Sequence, residues 1–397
     1  MPKHLTKDFQ EKLKEFDQKF NATFGAGAID QDKKIIPYDV LPTGSIALDI
    51  AYGVGGYVVG RLHEVYGNPD IGKSSLALLA CAEAQKKWND RMVAYIDVEN
   101  KMDSLFAEAH GVDRTQWRLY KPKNAEDVAD SLKYFLTEPM FSLVVIDSVG
   151  AMIGKVEQEK EAGQDVVAIV ARIVTRMVKI ANSYAESNHS VVLINNQVRS
   201  DISRFSAGLT TPGGWGLKFA TTTQSQVRLT KTQPLTAIIK GEKIPVAREV
   251  AVSIKRNKVA PKGATAIVLL HSVDSKHGPV GVDRADEAAV IGIKLGVIRR
   301  SGHLYTFPGG QVVDSAAKVK EHLRLHPKEI ETIRTACLAS NTVYVQEVDE
   351  EPDAPDPDIN VDEETGEILP PVLHLPSRER LEPVSTEPLP IFESPYT

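Results

Sequence analysis

Two cysteines in 397 residues, Cys81 and Cys337, leave no disulfide framework and no thiolate cluster for a metal. Aromatic residues are scarce, at 6%. No apolar run approaches the roughly 18 residues that a membrane-spanning helix needs. The opening MPKHLTKDFQEKLKEF alternates charge with isolated apolar residues and lacks the apolar h-region of a secretory leader. No internal repeat is visible. These absences exclude a disulfide-stapled scaffold, a zinc module and a helical membrane protein, and they set a cytoplasmic protein without membrane contact as the expectation. What is present, 42% hydrophobic and 25% charged residues, is ordinary globular composition. The length has room for one large core domain and one or two small ones.

The net charge of -6 hides an asymmetry. From Val345 onward 15 acidic residues stand against Arg378 and Arg380, whereas residues 1–344 hold 45 basic and 38 acidic ones. A mildly basic body with an acidic tail is common in proteins that handle nucleic acid.

Four segments follow from the pattern. Residues 1–32 hold a helix whose apolar positions Phe9, Leu13, Phe16, Phe20 and Phe24 recur at helical spacing. It is expected to end at Gly25-Ala26-Gly27, and such a stripe needs a surface to bury it. Residues 33–284 alternate short apolar runs with helical stretches. The runs Leu62–Tyr66, Met92–Asp97, Leu143–Asp147 and Ser190–Asn195 suit strands buried on both faces. The clearest helix is 165–187, where Val166, Val170, Ile173, Met177, Ile180 and Tyr184 share a face. The alternation predicts an α/β fold with a mostly parallel central sheet flanked by helices. The runs Gln226–Leu229, Val250–Lys255 and Ala264–Leu270 predict an antiparallel extension of that sheet. Residues 285–344 read as a small α+β domain, with helices near Ala285–Leu295 and from Ala316 to His322 or beyond. Residues 345–397 hold 10 of the 23 prolines and read as a disordered tail.

Gly67-Asn68-Pro69-Asp70-Ile71-Gly72-Lys73-Ser74 fits G-x-x-x-x-G-K-[ST] between a predicted strand and a predicted helix opening at Ser75. In such a P-loop the glycines turn backbone N–H groups onto phosphate oxygens. Lys73 reaches the β- and γ-phosphates, and the Ser74 hydroxyl ligates Mg²⁺. A plain glycine-rich turn is the alternative, and the strand–helix context argues against it. The strand ending at Asp147 offers a second Mg²⁺ ligand, although an Asp there also caps helices. A third strand ends in Asp97-Val98-Glu99, and either carboxylate could orient the attacking water; spacing does not choose between them. The fourth ends in Asn195-Asn196-Gln197, where a neutral amide can register a γ-phosphate. The polar, basic stretch Val198–Gly214 follows. Its Arg199 and Arg204 offer charge to a nucleic-acid backbone, and Ile202 and Phe205 offer wedges for bases.

Taken together these residues resemble the bacterial RecA recombinases over roughly residues 8–344. The likeness runs through Leu41–Asp49, Gly60-Arg61, Tyr95–Glu99, Val144–Val149, Ile194–Arg199, Gly213-Gly214 with Leu217-Lys218-Phe219, and Lys255–Pro261. The resemblance implies an ATP-dependent, Mg²⁺-dependent recombinase. It would form helical filaments on single-stranded DNA, hydrolyse ATP when stimulated by DNA, and exchange strands with a homologous duplex. Glu99 then matches the catalytic glutamate, and Asp103 and Phe106 match the pair around adenine. Gln197 matches the link from γ-phosphate to the second DNA loop. Arg256 and Lys258 match cations that reach the ATP of the adjacent subunit. Arg172, Lys179, Arg199, Gly213 and Gly214 match DNA-backbone contacts, and Ile202 matches a wedge between base triplets. The first DNA loop falls near Glu157–Asp165, and the N-terminal helix would dock on a neighbouring copy.

Four departures stand out. They are the loop interior Asn68–Ile71, a second DNA loop one residue shorter than usual, extra residues Ala220–Gln224, and the long proline-rich tail. They suit a phage-encoded or otherwise accessory member. The tail would cover the basic DNA surface or receive loading and regulatory proteins. Two rivals share the core: a ring-forming helicase or motor, and a regulatory filament that binds ATP and DNA without exchanging strands.

Overall fold

The computed structural model describes residues 7–24, 38–154, 165–200, 209–210, 214–239, 241–342, 360–361 and 368–369. The predicted helix end at Gly25–Gly27 and nearly all of the acidic tail therefore lie outside the described residues. Residues Met1–Asp39 form one unit and Val40–Thr397 another. The first holds helix α1 (Lys7–Phe24). Its Leu13 and Phe16 are exposed, and Phe16 meets Phe20 at 5.6 Å.

In the second unit a hairpin of β1 (Val40–Leu41) and β2 (Tyr57–Val58) flanks the short helix α2 (Ile46–Ala51). The strands β3 (Leu62–Gly67), β4 (Met92–Asp97), β5 (Trp117–Tyr120), β6 (Phe141–Asp147) and β7 (Val191–Gln197) then alternate with helices. These are α3 (Lys73–Lys87), α4 (Ser104–Ala109), α5 (Ala125–Thr137) and α6 (Asp165–Tyr184). After β7 come the two-residue pair β8 (Arg199–Ser200) and β9 (Leu209–Thr210), helix α7 (Gly214–Ala220) and strand β10 (Thr223–Leu229). The chain continues as β11 (Leu235–Ile239), β12 (Glu242–Asn257) and β13 (Thr265–His271).

Nine of these strands form one sheet, β11-β12-β10-β3-β7-β6-β4-β5, with β13 on β12. From β10 to β5 every pair is parallel. The antiparallel extension begins one strand later than the sequence pattern suggests. Strand β10 runs parallel to β3, and only β12, β11 and β13 are antiparallel. The reason is α7, a crossover helix that opens on Gly214-Trp215-Gly216, where glycine disguises helical periodicity.

The parallel strands read as continuous apolar runs because both faces are covered. Val93, Tyr95, Leu143, Val145 and Leu193 pack against α3 on one face. Ala94, Ile96, Val144, Ile146, Val192 and Ile194 pack against α5 and α6 on the other. Helix α3 is buried nearly all round, the signature of a core helix rather than a surface one. Fully burying each large side chain contributes about 1.5–3 kcal/mol.

The remaining described part comprises α8 (Arg284–Lys294), the strands β14 (Arg299–Ser301), β15 (Leu304–Thr306) and β16 (Val312–Val313), α9 (Ala316–Leu325) and α10 (Pro327–Thr342). Pro327 suits the first turn of α10, where no intrahelical donor is needed. Ile298, Val319, Leu323 and Ile333 gather there with Ile46 and Ile50 of α2, so α2 belongs to two cores. Beyond it, β17 (Asn360–Val361) pairs with β18 (Ile368–Leu369).

Candidate functional site

The parallel strands deliver their carboxyl ends to one edge, and β3 sits between β7 and β10, where chain order reverses. Ligands of open α/β sheets bind at such a switch point. Strand β3 ends at Gly67, and the chain turns into α3 with Asp70 at φ 58 and Gly72 at φ 97. A Cβ on Gly72 would lie 2.4 Å from Leu270 Cδ1, and one on Gly67 2.4 Å from the Val227 carbonyl oxygen. Both positions therefore require glycine. Ile71 is buried in the core, whereas Asn68, Pro69 and Asp70 are exposed at the rim. No side chain caps α3, so its first-turn N–H groups remain for an anion. The buried Lys73 ammonium donates to the carbonyls of Gly67 at 3.1 Å and Asn68 at 2.6 Å. Burial lowers its pKa, against the pull of Asp147, Glu99 and Asp70.

Across from the loop, Ser74 Oγ donates to Asp147 Oδ2 at 2.6 Å, and Tyr95 OH donates to the same oxygen at 2.5 Å. Burial raises the pKa of Asp147, while the bonds from Ser74 and Tyr95 oppose it. One carboxylate and one hydroxyl make a hard-oxygen pair suited to a small divalent cation. Among the described residues no cluster of three His, Cys, Asp or Glu converges. Mg²⁺ held there would thus complete its shell with water and phosphate oxygens, as it does in nucleotide enzymes.

The two candidate bases separate in the structure. Asp97 accepts from the backbone N–H groups of Lys101 at 3.3 Å and Met102 at 2.9 Å, which ties it to shaping its own turn. Glu99 Oε1 instead accepts from Ser148 Oγ at 2.8 Å and Gln197 Nε2 at 2.7 Å, and its other oxygen meets Lys101 Nζ at 3.1 Å. Burial acts to raise the Glu99 pKa, but these donors outweigh it and hold the carboxyl below its ordinary range. Glu99 is therefore ionised at neutral pH. Gln197 lies close enough to Gly150 that a Cβ there would be 3.2 Å from Gln197 Cβ.

Lys73, Ser74, Asp97, Glu99, Asp147 and Gln197 line a cleft of about 560 Å³, together with Phe106, Met102, Ser75, Arg248, Leu270, His271 and Ser272. Phe106 stands edge-on to His110 at 4.4 Å. Asp103 is exposed and caps α4 through the Leu105 N–H at 2.9 Å. Arg248 donates to the Asp70 carbonyl at 3.0 Å. Arg248, His271, Ser148 and Tyr95 escaped the sequence reading. The first two come from β12 and β13, whose register no local pattern reveals. Ser148, directly after Asp147 at a strand end, carried the one usable signal. The lining holds four carboxylates (Asp70, Asp97, Glu99, Asp147) against three cations, Lys73, Lys101 and Arg248. A triphosphate therefore needs positive charge beyond what this cleft supplies.

The other predicted residues stand elsewhere. Asn257 of β12 pairs with Thr223, which pairs with His63 near the start of β3. Arg256 and Lys258 consequently sit at the sheet edge opposite the cleft, about 13 Å away along β3. Arg256 lies over the Phe219 ring at 5.3 Å, and Lys258 Nζ donates to the Phe219 carbonyl at 2.6 Å. Arg172 and Lys179 are exposed on one face of α6. Arg199 and Ser200 pair through the backbone with Thr210 and Leu209, and Gly214 opens α7. Ile202, Arg204, Phe205 and Gly213 lie outside the described residues, as does the first DNA loop up to Asp165. No described helix is long and apolar enough to cross a membrane.

A family profile described as the RecA N-terminal domain matches residues 8–272. Protein RecA of Lactobacillus delbrueckii subsp. bulgaricus is 31% identical over 342 residues, covering 85% of this chain and 88% of that one. Protein RecA of Thermotoga neapolitana is 35% identical over 326 residues, 80% of this chain and 89% of that one. Protein RecA of Staphylococcus carnosus is 32% identical over 323 residues, with shares of 80% and 87%. A profile that spans most of the chain, and relatives matched over most of both lengths, agree with the P-loop and the strand-end carboxylates: the chain belongs to the RecA family of recombinases.

Proposed function

We propose that this protein is an ATP-dependent recombinase that assembles as a filament on single-stranded DNA and pairs it with a homologous duplex. Membership in the family brings a P-loop ATPase core and a place in DNA recombination; the filament, the hydrolysis step and the residue roles are this proposal. The observation that carries it is the division of charge across the sheet. A cleft short of cations lies at one edge, and Arg256 and Lys258 lie at the other. A head-to-tail neighbour can bring that pair onto the phosphates, so ATP would sit between copies.

Within the cleft, Lys73 leaves the Gly67 and Asn68 carbonyls for phosphate oxygens. Glu99 orients water, and Gln197 exchanges its bond to Glu99 for one to the γ-phosphate. Ser74 and Asp147 would hold Mg²⁺, which would supply charge neutralisation to the phosphates. Arg256 and Lys258 steady charge that develops on the transferred group. Arg172, Lys179, Arg199, Gly214 and the stretch with Ile202, Arg204, Phe205 and Gly213 would hold the DNA backbone. Residues 1–32 would dock on a neighbour, 33–284 form the ATPase core, 285–344 a small domain, and 345–397 an acidic tail restraining duplex binding.

The test is ATP hydrolysis with and without single-stranded DNA, with the same samples imaged by negative-stain electron microscopy. DNA-stimulated hydrolysis with helical filaments, followed by strand exchange between homologous substrates, is expected. Closed rings would move the reading to a helicase, and filaments without exchange to a regulatory assembly. Gln197→Ala should keep ATP binding while DNA affinity ceases to depend on it.

A further inference from the structure

The β3 strand carries a carboxylate that the reaction does not use. Glu64 is fully buried between β7 and β10. Its Oε1 accepts from Asn196 Nδ2 at 2.8 Å, and its Oε2 accepts from Gln224 Nε2 at 2.6 Å. Burial raises its pKa, opposed by these two bonds. An apolar side chain would pack in such a place at lower cost, so what distinguishes Glu64 is the pair of bonds it makes.

What it joins is specific. Asn196 Oδ1 accepts from the backbone N–H of Gln197 at 2.9 Å, and Gln197 Nε2 reaches Glu99 at 2.7 Å. The Asn196 amide is planar and pinned at both ends, so a change at Gln197 tilts it against Glu64. On the other side, Gln224 stands in register with Glu64 on β3 and with Arg256 on β12. The β10–β12 register shifts between Gln224 and Ser225, where the ladder is locally disrupted and the strand bends. Beyond the shift, Arg256 covers Phe219, which is 54% exposed. Side-chain bonds thus join β7, β3 and β10, and backbone pairing carries the row on to Arg256 of β12 at the opposite edge.

We propose that Glu64 is the positioning residue through which the Gln197 end of β7 sets the Arg256–Phe219–Lys258 surface that meets the neighbouring copy. This rests on the filament reading above. With a phosphate on Gln197 the Asn196 amide turns, Glu64 follows, and Gln224 shifts Arg256 at the irregular point of β10. Without Glu64 the cleft still binds nucleotide, but the far edge no longer learns of it.

The test uses E64Q and the swap E64Q/Q224E in the full-length protein. In E64Q one of the two amide donors meets an NH₂ group and loses its acceptor. In the swap, the new amide at position 64 accepts from Asn196 and donates to the new carboxylate at position 224, so both bonds return. The readout is the affinity for a fluorescent oligo-dT with ADP and with a slowly hydrolysed ATP analogue, beside nucleotide affinity without DNA and the melting temperature. Wild type should bind DNA more tightly with the analogue. E64Q should lose about tenfold of that preference, within the usual span of coupling between sites, while nucleotide affinity stays within about twofold, less than 0.5 kcal/mol. The swap should restore the preference. If E64Q keeps the wild-type preference, Glu64 is overturned alone. The same holds if preference, nucleotide affinity and melting temperature fall together and the swap rescues none of them. If wild type binds DNA equally with either nucleotide, the filament reading fails and takes Glu64 with it.

Discussion

Glu287→Gln should flatten part of the pH dependence of stability, because burial and not charge pairing dominates the junction of α2 and α8. Glu287 Oε1 accepts from Ser45 Oγ at 2.6 Å, and Oε2 accepts from the Ile46 N–H at 2.6 Å. Both donors belong to the N-terminus of α2. Even so, burial raises the carboxyl from 4.5 to about 7, with a further push from Asp49. The unfolded chain releases this proton near the ordinary glutamate value. Between about pH 4.5 and 7 the folded state therefore holds a proton that the unfolded state has lost. The stabilisation is complete below that window and disappears as pH rises through it. At about 1.4 kcal/mol per pH unit, the gap corresponds to about 3 kcal/mol. Glutamine does not titrate. Urea unfolding at a series of pH values should show the wild type losing about 2–3 kcal/mol relative to Glu287→Gln across the window. At the acid end the variant should be the less stable by about 1 kcal/mol, for one lost hydrogen bond. Parallel curves for the two proteins would refute the reasoning.

The cleft makes further predictions. Glu99→Gln should slow ATP turnover by about 10²–10⁴-fold while leaving nucleotide binding intact, as read by single-turnover hydrolysis beside equilibrium binding. Tyr95→Phe removes a donor to the buried Asp147 carboxylate and should cost about 1.5–3 kcal/mol of stability, measured by denaturant titration. Arg256→Ala/Lys258→Ala and Glu99→Gln should each be nearly inactive alone, yet regain turnover when mixed. A mixed filament contains interfaces in which an intact Glu99 meets an intact cation pair. No recovery on mixing would place both functions in one subunit's own cleft.

Much of the core was legible because burial on both faces leaves a strong mark. Continuous β-branched runs announce parallel strands, and Gly67–Ser74 announces a loop whose glycines no other residue can replace. Asp147 and Gln197 were legible as cleft-lining positions because the carboxyl ends of strands in such a sheet face the crevice. Spacing left Asp97 and Glu99 undecided, because Asp97 closes β4 and Glu99 lies only two residues beyond it. The family resemblance pointed to Glu99, and the fold gives the two carboxylates different surroundings, turning Asp97 onto the Lys101 and Met102 N–H groups and Glu99 onto Ser148 and Gln197.

Local sequence determined what depends on neighbours along the chain: the alternation of strand and helix, the phosphate loop, the caps at Asn124 and Ser315, and the carboxylates at strand ends. The tertiary structure decided what depends on strand order and register. It made β10 parallel, brought Arg248 and His271 into the cleft, and sent Arg256 and Lys258 to the far edge. It also put Glu64 between Asn196 and Gln224, which lie 132 and 160 residues away along the chain. A strand's pattern records which faces are buried, and it does not record which strand lies beside it.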